Sequence, residues 1–244
     1  MIELSKRQKD ILYAIITEFI DSAMPVGSNL ISEKYEIDAS PATIRYEMVR
    51  LADEGFISKS HTSSGRIPTV MGYRYFINDL MNEESVHYLT EIRLNRELAT
   101  LRFHRDKLIR GITTLLADIT KYAAVVVTEE GLFYSGLYNL LDYPEFAERN
   151  SFKNILIAFD DIGTLTNVFS RGYTDNRVKV IIGDEFDQHM LQDCSIVFTE
   201  INLYHGERAI MAVIGPRRMD FPQVIPLMRT TAEVVDKLIL GWER

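Results

Sequence analysis

The chain has 244 residues, of which 46% are hydrophobic and 25% charged, with one cysteine and a formal net charge of −8. This is ordinary globular composition at a length that favours two domains, and the lone Cys194 excludes an internal disulfide framework and suits a reducing compartment. No run approaches the ~20 apolar residues of a membrane span, and the N-terminal MIELSKRQKD has no apolar signal-peptide core, so a cytoplasmic location without membrane attachment is expected.

From the N-terminus, Ile11, Leu12, Ile15, Ile16, Phe19 and Ile20 recur at helical spacing and predict an amphipathic helix over 5–22 with Ser5 as its cap. Pro25 and Gly27 interrupt it, and Ser28 opens a short second helix to about Tyr35. A third helix is predicted over Pro41–Glu54. Ser40 is its N-cap, Pro41 fits the first helical position, and Gly55 stops it. Ile44, Met48, Val49, Leu51 and Ala52 are assigned to its apolar side, leaving Thr43, Arg45, Tyr46 and Arg50 to project away. Phe56–Ser58 and Arg66–Pro68 then pair as strands around HTSSG, forming a two-stranded wing.

Three short helices ending in a tight helix–turn–helix pair, followed by a hairpin, fit a DNA-binding unit, although such units also serve as protein-interaction modules. Hydroxyls, a phenol ring and two guanidinium groups on the first turns of a helix suit a major groove, and small or donor-rich wing-tip residues suit phosphate or the minor groove. The candidate DNA contacts are Ser40, Pro41, Ala42, Thr43, Arg45, Tyr46, Arg50, His61, Thr62, Ser63, Ser64, Gly65 and Arg66. Charge argues against non-specific binding. Residues 1–80 hold nine Lys and Arg against eleven Asp and Glu, whereas Ser40–Tyr75 holds five against three.

From Asn82 to Tyr122 there is no proline and only one glycine, Gly111. Leu94, Leu98, Leu101, Arg105, Leu108, Ile112, Leu115, Ile119 and Tyr122 follow alternating four–three spacing, a coiled-coil-like seam of about four heptads. Its apolar members Leu94, Leu98, Leu101, Leu108, Ile112, Leu115 and Ile119 are candidate dimerisation residues; a long helix packed on its own domain, or two helices broken near Gly111, would show the same pattern. A two-fold dimer would supply the second reading helix for a palindromic site.

Ala123–Thr128 reads as a strand pairing with Leu132–Tyr134 across Glu130-Gly131. Leu137–Leu141, Pro144–Arg149 and Phe152–Phe169 read as helical, and Val178–Ile182 as a buried strand. Ser195–Leu203 and Arg208–Ile214 flank a hairpin turn, and Phe221–Leu240 closes the chain as an amphipathic helix. The order predicts an α+β domain. The expected organisation is 1–81 winged helix, 82–122 long linking helix and dimerisation seam, and 123–244 α+β domain.

The stretches MPVGSNLISEKY, SPATIRYEMVRLADEGFI and HTSSGRIPTVMGYRYF closely resemble the bacterial heat-inducible transcription repressor family HrcA, as do IIGDEF, DCSIVF and AVIGPRRMDFPQVIP. The resemblance implies a winged-helix domain joined to a GAF-like domain. It also implies a homodimer that binds an inverted repeat in double-stranded DNA, represses chaperone operons, and has its activity tied to the GroEL chaperonin. Tyr46 stands where the family usually has Asn, and Ser60 where it usually has Pro. Members also carry an inserted dimerisation segment within the GAF-like part. Here AAVVVTEE passes almost directly into GLFYSGLYNLLDYPEF, so that segment is absent or reduced to a turn.

No enzyme is expected. The five histidines show no metal-ligand spacing, and GxxxxGK[ST], GxGxxG and GxSxG are absent. Asp160-Asp161 and Asp184-Glu185 read as loop surface, and Cys194 as a packed hydrophobe. No cofactor or metal is expected. The residues therefore point to a sequence-specific repressor. The alternatives are a regulator sensing a small ligand through its GAF-like domain, and an interaction adaptor that has lost DNA binding.

Overall fold

A computed structural model describes residues 3–60, 65–82, 85–147, 149–170, 177–186 and 189–241. The chain divides into two compact units, Met1–Asn82 and Glu83–Arg244.

In the first unit, α1 (Lys6–Ser22) opens with a capping box. The Gln8 N–H donates to Ser5 Oγ, and the Ser5 N–H donates to Gln8 Oε1 at 2.9 Å. Helices α2 (Ser28–Lys34) and α3 (Pro41–Asp53) follow, and Gly55, at φ +86°, ends the third as its sequence position demands. Ile11, Leu12, Ile15, Ile16, Ile31, Ile44 and Leu51 are wholly buried where the three helices meet. Glu18 ties α1 to α2: Lys34 Nζ lies 2.6 Å from its carboxylate, and the Tyr35 hydroxyl donates to it at 2.8 Å.

Strands β1 (Ile57–Lys59) and β2 (Arg66–Pro68) form an antiparallel hairpin in the register Ile57↔Pro68, Ser58↔Ile67, Lys59↔Arg66. Val26 and Arg66 exchange backbone hydrogen bonds of 2.8 and 2.9 Å, which fastens the hairpin to the α1–α2 connection. Helix α4 (Val70–Tyr75) and a π-helical turn, Phe76–Leu80, were not foreseen. Thr69 organises their start: its hydroxyl donates to the Gly55 carbonyl at 2.6 Å and accepts from the Gly72 N–H.

The second unit contains α5 (Tyr88–Leu101) and α6 (Arg105–Thr120), and both belong to it rather than to a separate linking domain. The predicted seam is not continuous. The helix breaks at Arg102–His104, not at Gly111, and the two pieces pack on each other. Leu94, Leu98, Leu108, Ile112 and Leu115 are buried within this unit, while Leu101 and Ile119 are half-buried. Five of the seven proposed dimerisation residues therefore supply intramolecular core, because two short amphipathic helices on a sheet need the same apolar spacing as a coiled coil. Arg105, the polar exception, caps the break from outside: its guanidinium donates to both carboxylate oxygens of Glu207, at 2.7 and 2.5 Å.

Strands β3 (Ala123–Thr128), β4 (Gly131–Ser135), β5 (Lys179–Ile182), β6 (Cys194–Asn202) and β7 (Arg208–Pro216) form an antiparallel sheet in the order β4-β3-β7-β6-β5. Residues alternate between its faces. Ala123, Val125, Ile181, Ile196, Phe198, Ala212 and Ile214 share a core with α7 (Arg149–Asp160), α8 (Ile162–Phe169) and the 3₁₀ turns Leu137–Asp142 and Pro144–Phe146. Helix α6 packs against β3 and β4, and α9 (Phe221–Leu240) packs along β6. The helix predicted over Phe152–Phe169 is split because Asp161 caps a new one, accepting from the Gly163 N–H at 3.0 Å. Cys194 is wholly buried, and burial pushes its thiol well up.

Candidate nucleic-acid interface

The first turn of α3 is built by Ser40 and Pro41. Ser40 Oγ accepts from the Thr43 N–H at 3.2 Å and lies 2.9 Å from Thr43 Oγ1, so both hydroxyls are partly committed to the cap. Ser40, Pro41, Ala42, Arg45, Tyr46 and Arg50 are exposed, and Thr43 is half-buried. Arg50 pairs with Glu47 at 3.5 Å, one turn below. Arg45 forms no hydrogen bond or ion pair with any other described residue.

Beside this helix lies a groove of about 390 Å³, lined by Gly27, Ser28 and Asn29 from the start of α2, Arg45 and Met48 from α3, and Lys59 and Arg66 from the hairpin. Three cationic side chains, from α3, β1 and β2, therefore share one concavity. Lys59 and Arg66 are register partners across the hairpin. Directly opposite residues of an antiparallel pair share one face, so both cations stand on the same side of the hairpin.

The structure sorts the sequence-derived candidates. It brings Arg45 and Arg66 together and leaves Ala42 and Tyr46 on the outer face of α3. Gly65 is buried, with no room even for a Cβ, which would fall 2.7 Å from Pro25 Cβ, so it packs the hairpin against Pro25. His61, Thr62, Ser63 and Ser64 lie outside the described residues. Val49, assigned to the core by pattern, is 42% exposed and belongs to the outer face. Lys59 and Asn29 were missed. The signal for Lys59 was its position opposite Arg66 across the hairpin, which the pairing of Phe56–Ser58 stopped one residue short of reaching.

In the second unit, a smaller cavity of about 250 Å³ is lined by Phe169, Arg177, Lys179, Phe198, Thr199, Glu200 and Ile210. Phe169 and Phe198 pack with ring centroids 5.1 Å apart at its floor, and Lys179 Nζ lies 5.9 Å from the Phe198 centroid. Among the described residues, no group of three His, Cys, Asp or Glu side chains is placed to hold a metal ion, and no helix is long and apolar enough to cross a membrane.

The family model for the HrcA protein C-terminal domain matches residues 73–225. The chain belongs to the HrcA family. Curated relatives span nearly all of it. The heat-inducible transcription repressor HrcA of Desulforudis audaxviator is 25% identical over 340 residues, covering 96% of this chain and 99% of the relative. That of Desulforamulus reducens is 23% identical over 344 residues, covering 98% and 99%. That of Mycoplasma capricolum is 25% identical over 338 residues, covering 96% and 98%. The first alignment runs to 340 positions, 96 more than this HrcA-family chain has residues. A crystal structure of a hypothetical protein at 2.2 Å resolution shares the mixed α+β fold, with a TM-score of 0.79 at 16% identity, covering 98% of this chain and 99% of that one. These relatives place the family in transcription regulation, repression and heat shock, which is not an enzyme class.

Proposed function

We propose that this chain is a DNA-binding transcription repressor of heat-shock genes, and that its first unit is a winged helix with α3 as the reading helix and β1–β2 as the wing. The observation that carries the reading is the cationic groove: Arg45, Lys59 and Arg66 converge beside an exposed helix, with two of the cations register partners. Arg45 and Tyr46 approach base edges. Arg50, Lys59, Arg66 and the hydroxyls of Ser40 and Thr43 meet phosphates, with Thr62, Ser63 and Ser64 as further wing contacts. A homodimer would present two such units to an inverted repeat, and the second unit, read as GAF-like, would carry the dimer contact and the link to GroEL chaperonin.

The test is binding of the full chain to inverted-repeat duplexes found upstream of its own gene and of chaperone genes. Arg45→Ala is expected to weaken binding to the specific duplex by about 1–3 kcal/mol and hardly alter random-duplex binding. Equal loss on both would remove Arg45 from base reading. Failure to bind any inverted repeat at low salt would leave the adaptor reading standing.

The cavity at Phe169, Lys179 and Phe198 favours a second reading, in which a small ligand acts through the second unit. A compound that shifts melting temperature and DNA affinity together would support it. Displacement of the repressor from DNA by unfolded protein, reversed by added GroEL, would support the chaperonin link instead.

A further inference from the structure

The outward face of α3 carries Ala42, Arg45, Tyr46 and Val49 at i, i+3, i+4 and i+7, one continuous row, all exposed. Tyr46 is 64% exposed and forms no hydrogen bond or ring contact with any other described residue. Three of the four are therefore apolar or aromatic side chains that the unit's own packing leaves at least partly uncovered. The row adjoins the groove holding Arg45, Lys59 and Arg66, so its partner is polyanionic. An acidic partner that also offers apolar contacts at a helix-wide spacing is duplex DNA, whose major groove presents a hydrophobic group on one base only, the thymine 5-methyl.

We propose that Ala42, Tyr46 and Val49 read thymine methyl groups, so that the half-site recognised by this chain contains thymine at one or more positions sensed through the methyl. The proposal rests on the DNA-binding reading above and adds the base class. From Ala42 to Val49 the helix rises about 10 Å, roughly three base-pair rises of 3.4 Å. The methyl-bearing thymines therefore fall within about four consecutive pairs.

The experiment begins by selecting the preferred duplex from a random pool with the full chain. Each thymine of the selected half-site is then replaced, one at a time, by deoxyuridine, which keeps pairing and removes only the methyl. At one to three neighbouring positions, affinity is expected to fall about three- to tenfold, the scale of one buried methyl. Tyr46→Ala or Val49→Ala should weaken binding to the thymine duplex and abolish its advantage over the deoxyuridine duplex. Tyr46→Phe should retain that advantage. Both side chains are exposed, so the variants are expected to fold, which circular dichroism and an unchanged urea-unfolding midpoint would verify. A strong selected site with a flat deoxyuridine scan overturns the methyl proposal and leaves DNA binding intact. Loss of the advantage in Tyr46→Phe overturns it too, because the hydroxyl would then be the reader. A pool in which no duplex is enriched overturns the DNA-binding reading itself, and the proposal with it.

Discussion

Gly65 sits where the hairpin crosses the α1–α2 connection, and Pro25 fills the space a side chain would need. A Cβ there would lie 2.8 Å from the Pro25 carbonyl carbon and oxygen, which are backbone and cannot swing aside. Gly65→Ala is therefore expected to destabilise the first unit by about 1–3 kcal/mol, read from urea unfolding. Gly27→Ser is the control. Nothing lies within 4 Å of a Cβ at Gly27, and a serine at this N-cap is as good as glycine or better, so stability should hold or rise slightly. Glu18 carries a pH signature. Burial pushes its carboxyl up, but hydrogen bonds from Lys34 and Tyr35, with the Lys34 charge, outweigh that and hold it below the usual carboxylate range. A depressed folded value means the pair's stabilisation is present above the unfolded carboxylate value and lost as pH falls through the folded one. The first unit should thus lose stability on acidification below about pH 4, and Glu18→Gln should flatten that limb while lowering stability at neutral pH. An acid limb of unchanged steepness in the variant would assign it to other carboxylates.

The α5–α6 pair decides whether the four–three spacing means core or subunit contact. Ile112 is wholly buried on α6, which packs against β3 and β4. Ile112→Ala is expected to cost about 2–5 kcal/mol, and the loss should be the same at tenfold different protein concentrations. A concentration-dependent loss would return Ile112 to an interface. The neighbouring elements show what was legible and why. Helix α9 was read correctly at both ends from its long apolar stripe; the structure adds that Asp220 caps it, accepting from the Gln223 N–H, and that Pro222 lies in its first turn. Helix α3 was read to within a residue from local signals, with Ser40, Pro41 and Gly55 marking its ends. The break at Arg102–His104 was not legible, since none of the three is a helix breaker. It is held from far along the chain: the Tyr204 hydroxyl donates to the Arg102 carbonyl, and Glu207 takes the Arg105 fork. Arg105→Ala should accordingly cost about 1.5–3 kcal/mol, although in sequence Arg105 looked like a flaw in the seam. Val49 was misplaced for a related reason. Hydrophobicity says which side chains can be buried, not which ones the fold leaves out for a partner.

At the scale of the whole molecule, a net charge of −8 must be reconciled with DNA binding. Attraction has to come from the cations gathered in the first unit. If Arg45 is given to a base, Arg50, Lys59 and Arg66 remain for phosphates, three contacts per unit. Each neutralised phosphate contributes about −0.9 to the slope of log affinity against log salt. One unit on a half-site should then give a slope of about −2.7, and a dimer on an inverted repeat about −5.4. Lys59→Ala removes one contact from each unit and should make the dimer slope shallower by about 2. The overall negative charge acts in the opposite sense, because salt also screens its repulsion from DNA. The slope is therefore to be read above about 0.1 M salt, where the Debye length falls to about 10 Å and only the contacting cations still register. A slope equal on the half-site and on the full repeat would mean that one unit binds at a time. The dimeric part of the reading would then fail, while the groove remained the DNA site.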